Sequence, residues 1–226
     1  MEGNNQQEQD RMPNWCTNAA TIEFENRDNY EMFKVAIENS KMAEVVEGCP
    51  TLFERIYPSP DKNYTNEWCS HNWGTKWPED DAEYTTNDDT MTVYASFQTA
   101  WSPPEGIYNR LESGLSPFGE GITVKACFSE QGCDFIGYWK DEDGESVLYS
   151  LSEASMIARR LLHQRYGTTE AWDAAHLDVF DVDGMWEEIT NEIFVPDFFE
   201  EFLKDEISSY VECMIENEGK LNPDEE

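Results

Sequence analysis

The chain has 226 residues and carries 48 Asp and Glu against 15 Lys and Arg, so its formal net charge is −33. This charge excludes the usual route to DNA, RNA or anionic lipid, which needs a basic face, and apolar runs of only four or five residues exclude a transmembrane helix, which needs roughly 20. A content of 39% hydrophobic and 13% aromatic residues is too high for a disordered acidic chain.

Residues 1–11 are polar and are expected to form a disordered lead. After them, hydrophobic periodicity predicts two helices, at 29–46 with Asp28 as N-cap and at 103–115. It also predicts strands at 20–25, 82–86, 90–98 and 121–128, and a hairpin of 133–140 with 145–150. Residues 58–81, rich in Pro, Asn and Trp, are predicted to be loop. The order is β-α-β-β-α-β with an added hairpin, which predicts an α+β fold with a ferredoxin-like sheet.

After residue 150 the pattern becomes helical. Ser152 is expected to cap a helix to 166, a short helix is expected at 185–193, and a continuous apolar stripe predicts a helix at 196–217. Residues 12–150 are therefore predicted to be the ferredoxin-like domain, and residues 151–226 an acidic helical subdomain. Residues 1–165 hold 29 acids and 13 bases, a net −16, whereas residues 166–226 hold 19 acids and two bases, a net −17.

Three segments are more specific than composition explains. Residues 12–18 are MPNWCTN, residues 72–77 are NWGTKW, and residues 99–104 are TAWSPP. Together they resemble the YubB-like family of phage- and plasmid-borne proteins, whose members open with Met-Pro-Asn-Trp-Cys and carry a ferredoxin-like domain. The resemblance covers residues 12–140, although eleven residues precede the first motif here. It implies a mobile-element origin and a fold, and it implies no catalytic residues.

The tryptophans of these segments have two interpretations. Trp side chains are large anchors, so a structural role that fixes the loops against the sheet is favoured. The alternative is a groove for a small ligand or a peptide, lined by Asn72, Trp73, Lys76, Trp77 and Trp101.

Catalytic and metal-binding motifs are weak. The sequence has no phosphate loop, G-x-S-x-G or H-E-x-x-H motif. Cys69 and His71 form a Cys-x-His pair, but no C-x-x-C supplies further zinc ligands. Residues 141–144 and 181–184 resemble calcium loops but lack the required acids at the other positions. We therefore predict no enzyme, no cofactor and no metal site.

The six Cys and the polar start of the chain, which has no export signal, indicate reduced thiols and a cytoplasmic location. High-salt adaptation fits the acidity poorly, because Glu outnumbers Asp by 31 to 17. A merely solvated face would not need like charges four residues apart, as in Glu201 with Asp205 and Glu212 with Glu216, which destabilise a helix.

Carboxylates four residues apart on a helix are separated by about 6 Å along its axis, close to the roughly 7 Å between alternate phosphates of one DNA strand. This spacing, together with the mobile-element origin that the resemblance to YubB-like proteins implies, leads us to predict an anti-defence protein: a DNA-mimic-like inhibitor that binds the basic nucleic-acid-binding surface of a host nuclease, such as a CRISPR or restriction complex. The residues predicted to contact this partner are Glu187, Glu188, Glu192, Glu200, Glu201, Asp205, Glu206, Glu212 and Glu216.

Overall fold

The computed structural model describes residues 14–44, 46, 48–139, 146–156 and 196–218. It is an α+β structure, as the sequence predicts. The chain divides into two compact units, Met1–Cys133 and Asp134–Glu226. The expected boundary at residue 150 lies within the second unit, because the contacts group the 135–150 hairpin with the C-terminal segment.

In its described residues the first unit is built on four antiparallel strands. Three are longer than the strands predicted for them, and the strand predicted at 90–98 keeps its length but is shifted by two residues. These are β1 (Trp15–Phe24), β2 (Asp80–Asn87), β3 (Thr92–Ala100) and β4 (Ile122–Glu130). Their spatial order is β2-β3-β1-β4, so Ala20 in β1 is paired with Ala95 on one side and Ala126 on the other. Every second residue of β1 is buried, which places the core on one face of the sheet.

Four α-helices accompany this sheet among the described residues of the first unit. They are α1 (Arg27–Ser40), α2 (Leu52–Ile56), α3 (Asn66–Asn72) and α4 (Glu105–Glu112), and a 3₁₀ turn at Lys41–Glu44 follows α1.

The helix predicted at 29–46 begins earlier and ends earlier than expected. Its N-cap is Asn26, not Asp28, because the Asn26 side chain accepts hydrogen bonds from the backbone N–H groups of Asp28 and Asn29. The prediction of a loop at 58–81 is wrong for residues 66–72, which form α3. There the Thr65 hydroxyl accepts from the Trp68 N–H, a capping contact that starts a helix without a long apolar pattern.

In the second unit, β5 (Phe135–Tyr138) and β6 (Val147–Ser150) form the predicted antiparallel hairpin. Residues 151–156 are helical. The cap of this helix is Ser150 rather than Ser152, since the Ser150 hydroxyl accepts from the Glu153 N–H at 3.1 Å. The rest of the helix predicted to reach 166, and the helix predicted at 185–193, lie outside the described residues.

The last helix, α5 (Asp197–Glu218), starts one residue after the predicted 196 and ends one residue after 217. Three fully buried side chains spaced four residues apart form its apolar stripe: Phe199, Leu203 and Ile207. The Phe199 ring packs 5.2 Å from Tyr138 and stacks 6.3 Å from Tyr149, so the stripe docks on the hairpin of the same unit. None of the described helices combines the length and the apolar character needed to cross a bilayer.

Gly106 lets the start of α4 approach the end of α3. Its N–H donates to the Trp73 carbonyl at 3.0 Å, and a Cβ at this position would lie 1.9 Å from the Asn72 carbonyl oxygen. We expect Gly106→Ala to lower the free energy of unfolding by about 1–3 kcal/mol, because the backbone must move to relieve the overlap.

Urea denaturation followed by tryptophan fluorescence measures this change. The control is Asn109→Ala at an exposed position of the same helix, which should alter stability by no more than about 0.5 kcal/mol. A Gly106→Ala variant that is stabilised, as alanine usually stabilises a helix, would contradict the close approach.

Candidate functional site

The predicted partner-binding acids fall into three groups. Outside the described residues lie Glu187, Glu188 and Glu192. On α5, with described side chains, lie Glu200, Glu201, Asp205 and Glu206. The last turns of α5 contain Glu212 and Glu216, whose side chains are not described.

The outer face of α5 carries an acidic stripe, which consists of Asp197, Glu201 and Asp205. All three residues are exposed and follow the same four-residue spacing as the apolar stripe, offset from it so that they point to solvent. None of the three forms an ion pair with another described residue. The separation between neighbours is about 6 Å along the axis, so their repulsion is not relieved within the described part of α5.

Sequence reasoning placed Glu200 and Glu206 among these acids, but both are only partly exposed. Glu200 is paired with Lys204 at 2.9 Å, which neutralises its charge locally. Asp197 was missed because it belongs to the first turn, where an acid is also explained by the helix dipole.

The predicted Trp-rich groove does not form as expected. Trp73 is 0% exposed; its Nε1 donates to the Tyr57 carbonyl at 3.0 Å, and the rings of Tyr64 and Trp68 lie 5.4 and 5.6 Å away. Asn72 accepts from the Tyr57 hydroxyl at 3.0 Å and donates to the Trp68 carbonyl at 2.8 Å. Neither side chain is available to line a groove, which corrects that part of the prediction.

The remaining predicted residues, Lys76, Trp77 and Trp101, are exposed. With the partly exposed Trp15 they form a group that we call the tryptophan patch. Trp77 and Trp101 are each 37% exposed. The Lys76 ammonium lies 5.3 Å from the centre of the Trp101 ring, and the Trp15 and Trp77 rings meet edge to face at 6.2 Å. This patch is a surface on which an aromatic or cationic group could stack.

Trp101 has a backbone φ of +75°, which a bulky L residue rarely adopts. Its N–H donates to the Asn14 carbonyl at 3.0 Å, a contact that helps to hold this conformation. Strained residues of this kind concentrate at functional sites.

A small acidic pocket lies elsewhere in the first unit, and sequence reasoning missed it. Its volume is about 80 Å³. The residues that matter to its chemistry are Ser40, Lys41, Glu79, Asp80, Asp81 and Tyr84.

Glu79 is the central group of the acidic pocket. Its two carboxylate oxygens accept from the backbone N–H groups of Leu52 and Phe53, at 2.6 and 3.2 Å. Burial raises the pKa of Glu79 to about 7, although these two hydrogen bonds act in the opposite direction. Burial also raises the pKa of Tyr84 well above its usual range. The Tyr84 hydroxyl is buried and has no hydrogen-bond partner among the described residues.

No group of three or more His, Cys, Asp and Glu in the described part of the chain is arranged to hold a metal ion. The Cys69 thiol is buried, which raises its pKa to about 11, whereas His71 is exposed. The two calcium-like segments, 141–144 and 181–184, lie outside the described residues.

No family model matches this sequence, and neither does any curated protein or solved structure. The resemblance to YubB-like proteins therefore stays a prediction that rests on its three motifs.

The two tryptophans of the NWGTKW segment should respond differently to substitution. Trp73→Phe replaces the buried indole with a smaller ring and removes the Nε1 donor to the Tyr57 carbonyl. We therefore expect it to lower the free energy of unfolding by about 2–4 kcal/mol. Trp77→Phe, at an exposed position, should change it by about 0.5 kcal/mol or less. Urea denaturation followed by circular dichroism measures both, and equal losses would argue against the buried position of Trp73.

Proposed function

We propose that the protein is an anti-defence protein of phage or plasmid origin, a DNA-mimic-like acidic inhibitor that binds the nucleic-acid-binding surface of a host defence nuclease such as a CRISPR or restriction complex. The acidic stripe of α5 carries this proposal. It is exposed, it is unpaired among the described residues, and it lies on a helix whose opposite side is anchored by the apolar stripe.

The spacing of the acidic stripe supports the proposal. Neighbouring carboxylates rise by about 6 Å, and alternate phosphates of one DNA strand rise by about 7 Å. A basic cleft that binds phosphates at this interval can pair its Arg and Lys side chains with Asp197, Glu201 and Asp205. Arginine would form the stronger, bidentate contacts.

The distribution of charge supports it further. The second unit has 25 acidic and six basic residues, a net −19 in 93 residues, and the first has 23 and nine, a net −14 in 133. A field of this strength accelerates encounter with basic clefts. It also prevents direct binding of nucleic acid.

We infer that the first unit is a ferredoxin-like scaffold. The order β2-β3-β1-β4, with β1 antiparallel to both of its neighbours and helices between β1 and β2 and between β3 and β4, supports this inference. Inhibition by occupancy needs no catalytic group and no cofactor, and its setting is the cytoplasm of the host cell.

The first test neutralises the acidic stripe. The variant is Asp197→Asn/Glu201→Gln/Asp205→Asn, and the assay is inhibition of DNA binding by a purified CRISPR effector complex and by a restriction enzyme. Each lost contact to a charged group weakens binding several-fold, so we expect the inhibition constant to rise at least tenfold. Inhibition by the unchanged protein should fall steeply as salt increases from 50 to 200 mM.

The matched control is Glu67→Gln/Glu83→Gln/Asp89→Asn, which removes the same charge at exposed positions of the first unit. It should leave inhibition nearly unchanged. Equal losses in the two triple variants would mean that only total charge matters. Inhibition that is indifferent to salt would refute the decoy mechanism.

The second candidate function is a module that binds a small ligand or a peptide through the tryptophan patch. The observation that favours it is the exposed Trp101 ring on a backbone held at positive φ. A binding surface supplies a reason to retain such a conformation.

The double variant Trp77→Ala/Trp101→Ala separates the two functions in the same nuclease assay. The decoy mechanism predicts inhibition within about twofold of the unchanged protein, because the acidic stripe remains. A fold that persists with inhibition lost would assign the partner contact to the tryptophan patch. Tyr94→Ala, which removes another exposed aromatic ring, is the control.

A further inference from the structure

The acidic pocket lies where the end of α1, the start of β2 and Thr51, the N-cap of α2, meet. Ser40 and Lys41 come from the C-terminal end of α1, Asp80, Asp81 and Tyr84 come from β2, and Glu79 directly precedes β2. In this unit β2 is the edge strand of the sheet.

The backbone at this point is irregular. The pairing of β2 with β3 shifts register between Asp80 and Glu83, and Asp81 has a φ of +47°. A bulge of this kind re-aims side chains and is frequent beside functional sites. Glu79, just before this irregular segment, accepts from the first N–H groups of α2, and the next two acids line the same pocket.

Tyr84 supplies an independent reason to expect a ligand. Its hydroxyl is buried without a partner among the described residues. An unpaired buried hydroxyl costs free energy, and native proteins seldom leave one unexplained. A ligand group that donates a hydrogen bond to the hydroxyl oxygen would remove this cost.

The electrostatics of the pocket favour a cation. Three carboxylates line it or stand at its edge, those of Glu79, Asp80 and Asp81. The one basic residue in the lining, Lys41, turns its ammonium to Glu38 at 2.8 Å, and Glu38 is not part of the pocket. The pocket also lies at the C-terminal end of α1, where the helix dipole attracts positive charge.

We propose that the acidic pocket binds a guanidinium group. The carboxylate oxygens of Glu79, Asp80 and Asp81 and the Tyr84 hydroxyl oxygen are acceptors brought together by the segment 79–84. A planar guanidinium offers five donors in a fixed fork. A guanidinium is also less strongly hydrated than an ammonium, so it gives up less hydration free energy when it enters a partly enclosed site. The source is either a free small guanidinium compound or the side chain of an arginine in a partner protein.

Glu79 links this binding to pH. The titratable groups that interact with it are Glu54 and Tyr84. Asp80, Asp81 and Lys41 share the lining of the pocket. With a pKa of about 7, Glu79 is largely protonated at pH 6 and largely ionised at pH 8. A bound cation stabilises the ionised form, so affinity rises with pH across this interval and binding near pH 7 releases a proton.

The test titrates the full-length protein with methylguanidinium by two-dimensional amide NMR in 150 mM salt. Methylammonium is the comparator. We expect saturable shifts at residues 79–84, weaker binding of methylammonium, and severalfold tighter binding of methylguanidinium at pH 8 than at pH 6. In Glu79→Gln this pH dependence should disappear.

Tyr84→Phe should lower the affinity for methylguanidinium about tenfold, because it removes one hydrogen-bond acceptor for a charged donor. Tyr94→Phe, at an exposed tyrosine of β3, is its matched control and should bind normally. If Tyr84→Phe does not fold, Asp81→Asn measured against Asp89→Asn gives the same comparison. The acidic-stripe variant should bind methylguanidinium unchanged, so this result is independent of the inhibitor proposal.

A capped peptide, acetyl-Gly-Arg-Gly-amide, distinguishes the two sources. Tighter binding of the peptide than of methylguanidinium assigns the pocket to an arginine side chain, and weaker binding assigns it to a free small molecule. Equal affinities for methylguanidinium and methylammonium, or equal binding by Tyr84→Phe and Tyr94→Phe, would show a diffuse counterion effect and overturn the proposal.

Discussion

Repulsion among 48 carboxylates opposes the compact state of this chain, because only 15 basic side chains are present to offset it. In the first unit a dense aromatic core offsets this repulsion. Trp73 contacts the rings of Phe53, Tyr64 and Trp68, and Phe53 in turn meets Phe97 of the sheet at 5.7 Å. Through its carbonyl, Trp73 also accepts from Gly106 of α4. The Trp73 indole thus packs against residues of α2 and α3, while its backbone carbonyl reaches α4 and Phe53 extends the cluster to the sheet. Burial of this indole contributes far more than any single surface ion pair.

Several acidic side chains of the first unit have hydrogen-bond or ion-pair partners within the unit. Asp88 accepts from the Lys34 ammonium at 2.6 Å and from the Tyr30 hydroxyl at 2.7 Å, and the Lys34 contact lowers the pKa of Asp88. Glu130 is buried and accepts from the Gly132 N–H at 2.8 Å. Such carboxylates need no external partner. The acidic stripe of α5 differs because its three residues have no such donor among the described residues, and this contrast, rather than the total charge, directs attention to it.

The sequence predicts the parts of this fold that depend on local periodicity and turns. Alternation located β1 to β4, and the hairpin of β5 and β6 followed from a turn between two short apolar runs. The sequence did not predict α3, because a seven-residue helix capped by Thr65 has too few turns to show a helical period of apolar residues. It could not separate Trp73 from Trp77, four residues apart in one motif. The turn at Gly74, with φ of +89°, sends one ring into the core and leaves the other exposed.

The acidic pocket could not be predicted from local patterns, because its Glu79 accepts a hydrogen bond from Leu52, 27 residues away in the chain.

The carboxylates of the pocket and those of the acidic stripe differ in how they attract a cation. Carboxylates of the exposed stripe act through a field that salt screens within about 8–10 Å, and they suit rapid encounter with a basic surface. The carboxylate of Glu79 is partly shielded from water, so its attraction for a cation is less sensitive to salt and more sensitive to the shape and hydrogen bonds of that cation. The same residue type therefore serves two kinds of recognition in one chain, and raising the salt concentration should weaken the first while leaving most of the second.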